Sequence, residues 1–284
     1  IGDFFYTPPT GFLALCTSNL PDATVTPSEH FNTVLYTGNN GASLAVSGVG
    51  FQPDFTWIKE RSSTSHHFLM DAVRGATKFL QSSTNIAEVD NSDVLQSFDS
   101  DGFTVGTSGG TNASDTYASW NWKANGSGSS NTNGSITSTV SANADAGFSI
   151  VSYTGNGTAG ATIGHGLSKT PDIVFVKRRN GTGNTLATMP ILGNNYLQLT
   201  TNEATIAHAV FFNNTLPTAT VFSVGTANDV NANTGTHIAY CFHSVDGYSK
   251  VGSYTGNGNA DGPFIYTGFR PAYVIIKNTT LGSW

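Results

Sequence analysis

Apolar and polar residues alternate along most of this chain with the period of a β-strand, and a helical period is nearly absent. From Tyr117 to Lys123, Ala118, Trp120 and Trp122 fall on one face, while Tyr117, Ser119 and Asn121 fall on the other. The same reading predicts strands at 31–37, 55–59, 67–70 and 102–105, then at 148–153, 173–177, 196–200, 221–224 and 236–243. Three runs are apolar on both faces: Phe55-Thr-Trp-Ile58, Ile173-Val-Phe-Val176 and Tyr273-Val-Ile-Ile276. That is the pattern of a strand covered on both sides. Each starts just after a proline, which costs no ladder bond at a strand start, and ends at a lysine expected to emerge into solvent. The only helix-compatible stretch, 71–80, is short and contains Gly75.

These strands belong to a repeat. Tyr-Thr-Gly-Asn occurs at 36–39, 153–156 and 254–257, followed each time by the proline and lysine at Pro53 and Lys59, Pro171 and Lys177, and Pro271 and Lys277. The Tyr-to-Lys spacing is 59−36 = 23, 177−153 = 24 and 277−254 = 23. A second signature closes the first two copies. It runs from Phe103-Thr-Val-Gly106 through Asn112 to Tyr117–Trp122, and from Phe222-Ser-Val-Gly225 through Asn231 to His237–Phe242. Recurrence at fixed spacing marks a repeated folding unit. We therefore expect an end of a preceding domain and a connector at 1–30, unit one at 31–123 and a linker at 124–146. Unit two is then expected at 147–246, and the start of a third, truncated unit at 247–284. On this reading the chain is an internal piece of a longer protein. The linker assignment rests on a Gly/Ser/Asn/Thr composition with almost no large apolar residue.

Composition sharpens the fold class. Charged residues are 11% of the 284 residues, against about 25% in an average domain. With 38% apolar and 11% aromatic residues, the chain lacks the low hydrophobicity and high net charge of a disordered protein. Val, Ile, Thr, Phe and Tyr suit pleated strands, and Asn-Gly pairs supply turns. The net charge of −6, without a basic cluster, removes the electrostatic basis for binding nucleic acid or an anionic membrane. No apolar run reaches the roughly 20 residues of a membrane span. Cys16 and Cys241 suggest no disulfide framework.

Chemistry is sparse. No Gly-x-Ser-x-Gly elbow, His-Glu-x-x-His or phosphate loop occurs. Glutamate stands only at 29, 60, 88 and 203, and none recurs at the equivalent position of another unit. Neighbouring His66 and His67 point to opposite faces of a strand, against a shared metal. Asp99-Ser-Asp101-Gly102 has the alternating acids of a calcium loop, but its twelfth position is Gly110, without the bidentate Glu. An Asp-Gly turn is the favoured reading, and a shallow Ca2+ site on Asp99 and Asp101 is the alternative. Trp57, Trp120 and Trp122 are candidate sugar platforms, although each stands in a strand where core packing is the simpler role. No catalytic residue and no cofactor is assigned.

Gly50-Phe-Gln-Pro-Asp54 with Trp57-Ile-Lys59 and Arg61, Asp71-Ala-Val-Arg-Gly75, Phe98-Asp-Ser-Asp-Gly-Phe103 and Trp120-Asn-Trp-Lys123 carry a family likeness. They resemble the repeated β-sandwich domain of tail-fibre and other virion structural proteins of marine bacteriophages. Gly247-Tyr-Ser-Lys250 and Gly268-Phe-Arg-Pro271 resemble the junction between its copies, and Gly2–Leu15 resembles the exit strand of a SPRY-like, concanavalin-like domain. The resemblance implies an all-β array of tandem antiparallel sandwiches of jelly-roll or concanavalin-like type. It implies a virion (extracellular) fibre that contacts other virion proteins and a host surface glycan or receptor, as a homo-oligomer with a trimer favoured. A head fibre without a host ligand, a depolymerase on a lectin-like scaffold and a secreted adhesin are the alternatives.

Overall fold

The computed structural model describes residues 25–280, His208 excepted, together with Thr10. Cys16, the expected strand near residue 3 and the rest of the preceding-domain segment lie outside the described residues, as does Trp284. The fold is all-β, and no helix among the described residues reaches seven residues.

The first copy contains β1 (Phe31–Thr37), β2 (Leu44–Ser47), β3 (Phe55–Glu60), β4 (Phe68–Asp71), β5 (Lys78–Gln81), β6 (Val89–Asp90), β7 (Ser97–Asp99), β8 (Gly102–Val105) and β9 (Thr116–Trp122). These form a six-stranded sheet, β1-β9-β3-β4-β5-β6, and a three-stranded sheet, β2-β8-β7. The second copy contains β10 (Ser129–Asn131), β11 (Ser138–Asn143), β12 (Phe148–Thr154), β13 (Ala161–Gly164), β14 (Ile173–Arg178), β15 (Leu186–Thr188), β16 (Asn195–Gln198), β17 (Ile206–Ala207), β18 (Val221–Val224) and β19 (Thr236–Phe242). Its large sheet runs β10-β11-β12-β19-β14-β15-β16-β17, with β13-β18 as a small second sheet. The order β1-β9-β3-β4-β5-β6 thus recurs as β12-β19-β14-β15-β16-β17. Register recurs too: Phe31 and Phe55 flank Trp122, and Phe148 and Ile173 flank Phe242.

Strand parity sorts most of the buried apolar residues into three cores, with Ala187, Met189 and Leu197 forming a smaller fourth cluster. Ile58, Met70 and Tyr117 on one face of the six-stranded sheet meet Val46, Phe103 and Val105 of the three-stranded sheet. Val151, Tyr153, Val174 and Val176 on one face of the eight-stranded sheet meet Ile163, Phe222 and Val224 of the two-stranded sheet. The remaining faces of the two large sheets meet each other. Phe55, Trp57, Leu69, Leu80 and Trp122 pack against Phe148, Ile150, Ile238 and Tyr240. Phe55 stacks on Tyr240 at 4.4 Å between ring centroids, and Trp122 lies 6.1 Å from Phe242. The central strands of both large sheets are therefore buried on both sides.

Several expectations need correction. Trp122 is buried and Trp120 half-buried, paralleled by buried Tyr240 and half-buried Phe242, and all four pack in the seam between the copies rather than in the interior of one unit. Residues 124–146 are not a plain linker, because β10 and β11 extend the eight-stranded sheet at its edge. There Ile136 and Val140 reach the second core, and hydroxyl-rich residues fill the other positions. Lys177 does not emerge into solvent. Its parity turns it toward unit one, where its Nζ donates to the Thr84 carbonyl at 2.8 Å and to the Gly183 carbonyl at 2.9 Å. The helix-compatible stretch is a turn into β5, with Gly75 at φ +96° ending any helix. Residues 250–280 contain no strand, so the run Tyr273–Ile276 is not the covered strand expected, whereas β3 and β14 at the matching positions each pair with a closing strand, β9 or β19.

Trp122→Ala should lower stability by about 3–5 kcal/mol through lost burial and the cavity left in the seam. Denaturant unfolding measures this, and a midpoint near wild type would show the ring to be dispensable there.

Candidate functional site

The residues that recur between the copies close loops. Asn112 Oδ1 accepts from the Asn39 amide at 2.9 Å, while its Nδ2 donates to the Gly106 carbonyl at 2.7 Å. Asn231 repeats this, accepting from the Asn156 amide at 2.9 Å and donating to Gly225 at 2.7 Å. The Tyr36 and Tyr153 hydroxyls donate to the Thr111 and Val230 carbonyls. Gly38 and Gly155 must lack side chains, since a Cβ would come within 1.9 Å of the Ala113 carbonyl oxygen or 2.4 Å of the Ala232 oxygen. The side-chain oxygens of Asn39, Asn156 and Asn257 each accept from the amide two residues on, forming the same turn in all three copies.

Among the candidate sites, Asp101 accepts from the Gly48 and Gly50 amides at 3.1 and 2.6 Å, in a loop where both glycines have positive φ. Asp99 accepts from the Ser97 and Thr104 hydroxyls at 2.8 and 2.7 Å. Both carboxylates thus pin the turn between β7 and β8 and its contact with β2. No group of three His, Cys, Asp or Glu side chains that could hold a metal occurs among the described residues. Trp57 and Trp122 are buried and Trp120 is half-buried, all in the seam, with Tyr273 lying 5.2 Å from Trp120. The structure brings the three tryptophans together, and apart from Asp99 and Asp101. His67 Nδ1 accepts from Trp57 Nε1 at 2.9 Å. Burial, with Lys59 and His66 nearby, pushes its pKa down to about 4, so the ring is neutral and can accept. Cys241 is a buried free thiol, its pKa pushed up to about 12 by burial.

One polar cluster was not read from the sequence. At the rim of the seam, Arg74 Nε pairs with Asp71 Oδ2 at 2.5 Å and Arg74 Nη1 with Glu88 at 3.1 Å. Arg179, from unit two, pairs with Glu88 at 2.8 Å and donates to the Ser152 hydroxyl. The Tyr240 hydroxyl donates to Asp71 at 2.7 Å and accepts from Arg74 at 3.2 Å. Burial opposes charge on Arg74, yet Asp71, Tyr240 and Glu88 outweigh it and raise its pKa. Burial likewise works against the Glu88 carboxylate, but hydrogen bonding and charge from Arg179 and Arg74 hold its pKa below the usual range. Two arginines balance two acids with every head group engaged, so the cluster joins the copies and offers no open coordination. The Asp71-Ala-Val-Arg74 spacing was the visible half of the signal. Its partners lie far along the chain.

The description "Domain of unknown function (DUF7483)" matches residues 26–284. The chain belongs to this family. The matched span covers both copies and the third segment, so the loop-closing asparagines and the Arg74 cluster all lie inside the DUF7483 region. No curated protein matches the chain. No solved structure matches it either. Among the described residues no helix is long and apolar enough to cross a membrane.

Arg74→Met should cost about 3–5 kcal/mol, because Asp71 would stay buried without its counter-charge. An unchanged unfolding midpoint would contradict the clamp.

A pH dependence follows from the histidines. Burial, first among its causes, also pushes the His237 pKa down to about 4, from 6.5. Lowered folded-state values mean that the unfolded chain binds more protons between those limits. Stability should be full above pH 6.5 and fall as pH drops toward 4. His67→Asn, which keeps an acceptor for Trp57, should flatten part of that slope in denaturant titrations at pH 7, 6 and 5. An equal slope would show that His67 does not titrate in this window.

Proposed function

We propose that the chain is a binding and structural module of a virion fibre, built of lectin-like β-sandwiches in tandem, in a homo-oligomeric and most simply trimeric assembly that contacts host surface glycans. The observation that carries this reading is the use made of the recurring residues. Asn112 and Asn231, Tyr36 and Tyr153, and Gly38 and Gly155 are all spent on the same loop closures, which favours a scaffold repeated for length and multivalency. The likeness of the Asp71–Gly75 and Trp120–Lys123 segments to tail-fibre domains supplies the virion context. Weak contacts multiplied along such a fibre gain about 10² to 10⁴ in avidity, so no single strong site is required. The engagement of Asp71, Glu88, Asp99 and Asp101 in ion pairs and turns supports binding over glycan hydrolysis, for which two carboxyl groups must converge on the substrate.

The test is to incubate the protein with marine bacterial cells and their isolated surface polysaccharide, with and without calcium. Saturable cell binding with unchanged polysaccharide length is expected. Progressive shortening of the polysaccharide would overturn the reading in favour of a depolymerase. Absence of binding to every host, with the protein located on the capsid, would leave a purely structural role.

A further inference from the structure

The repeated motifs fix which residues match between copies. Two residues after the proline stand Phe55, Ile173 and Tyr273, and six before the motif tyrosine stand His30, Gly147 and Tyr248. Phe31 matches Phe148, and Trp120 matches Tyr240 in the closing strands.

The first copy meets the second through one set of contacts. Phe55 stacks on Tyr240 at 4.4 Å between ring centroids and lies 6.0 Å from Phe148. Ile150 shares a cluster with Phe55, Leu69 and Leu80. At the rim, Lys177 Nζ donates to the Thr84 carbonyl at 2.8 Å, and the Glu88 amide donates to the Arg179 carbonyl at 2.8 Å.

The second copy meets the segment 251–279 in the same way. Val251, which matches Ile150, packs with Ile173, Ala187 and Leu197, and these match Phe55, Leu69 and Leu80 by strand register. Lys277 Nζ donates to the Thr201 carbonyl at 2.7 Å, and the Thr205 amide donates to the Thr279 carbonyl at 3.0 Å. Thr201 follows β16 at the distance by which Thr84 follows β5, so both rim bonds are repeated at matching positions.

From there the chain returns to the first copy. Tyr273 lies 5.2 Å from Trp120 and 6.2 Å from Phe31, as Phe55 lies against Tyr240 and Phe148. Under a rotation, matching residues can touch each other only close to the axis. Two such pairs do touch: Trp122 with Phe242 at 6.1 Å, and His30 with Tyr248 at 6.3 Å.

We propose that the three copies stand around one pseudo-three-fold axis within the seam, each docking on the next by the same contact, and that this contact closes on itself after three steps. A contact between unlike surfaces builds either an open row or a ring. The return of Tyr273 to Trp120 and Phe31 selects the ring. The partner of each Phe55-type position is therefore another copy in the same chain. Because the arrangement is internal, it holds whatever number of chains assembles, and it does not rest on the glycan reading. Its consequence is a three-fold display: Thr37, Thr154 and Thr255, the exposed threonines of the three Tyr-Thr-Gly-Asn turns, stand at equal distances from one another.

Pulsed electron paramagnetic resonance tests this with nitroxide labels on pairs drawn from Thr37→Cys, Thr154→Cys and Thr255→Cys, in a Cys16→Ser background. Cys241 is buried and stays unlabelled. Three equal separations are expected. A 37-to-255 separation well beyond the other two would overturn the proposal in favour of an open row. The closing contact has its own check in a double-mutant cycle on unfolding midpoints. Phe31→Leu with Tyr273→Leu should be non-additive, as should Phe148→Leu with Phe55→Leu, because each pair shares one contact. Additivity in the first pair would show that the ring is not closed there.

Discussion

Everything in this structure depends on the seam where the six-stranded and eight-stranded sheets bury their inner faces against each other. Tyr240 shows the constraint in one residue. Its ring stacks on Phe55 across the seam, and its hydroxyl is held by Asp71 and Arg74 of the other copy. Because each large sheet has a second core on its far side, its central strands have no solvent face. This accounts for the two-sided apolar character of β3 and β14, and for the scarcity of charge. Ionised groups gather at strand ends, at turns and in the neutralised cluster at the rim, where burial is offset by mutual pairing, while buried Lys177 is held by the Thr84 and Gly183 carbonyls.

The repeated signature has a mechanical meaning. In each complete copy, the asparagine before the closing strand holds the Tyr-Thr-Gly-Asn loop on one side and the Phe-x-Val-Gly strand on the other. It therefore fastens the small sheet to the large one. A signature of this sort preserves an architecture while leaving outer loops free to vary, which is where specificity for a partner can reside.

The element types were legible because strand alternation is a local property. β1, β3, β8, β9, β12, β14, β18 and β19 stand within a residue or two of where the pattern puts them. What alternation does not reveal is what covers a face. Trp122 was correctly placed among core residues, yet nothing local says that its neighbours are Phe148 and Phe242. Lys177 looked like a solvent-seeking strand end for the same reason, since its carbonyl partner on Thr84 belongs to the other copy. β10 and β11 escaped notice because edge strands rich in Ser, Thr and Asn have the composition of a tether. The Asp71–Arg74 pair was visible as a motif, but Tyr240 and Arg179 come from distant sequence. As for the candidate sites, Asp99 and Asp101 were read as an Asp-Gly turn, and their bonds to Ser97, Thr104, Gly48 and Gly50 are of that kind.

The central claim is that two similar copies form one cooperative body through a shared core. Scanning calorimetry of the protein at pH 7 tests it most directly. The account predicts a single unfolding transition whose calorimetric and van't Hoff enthalpies agree. Two separable transitions, each with the enthalpy of about half the chain, would contradict it by showing that the copies are independent domains merely touching at the seam.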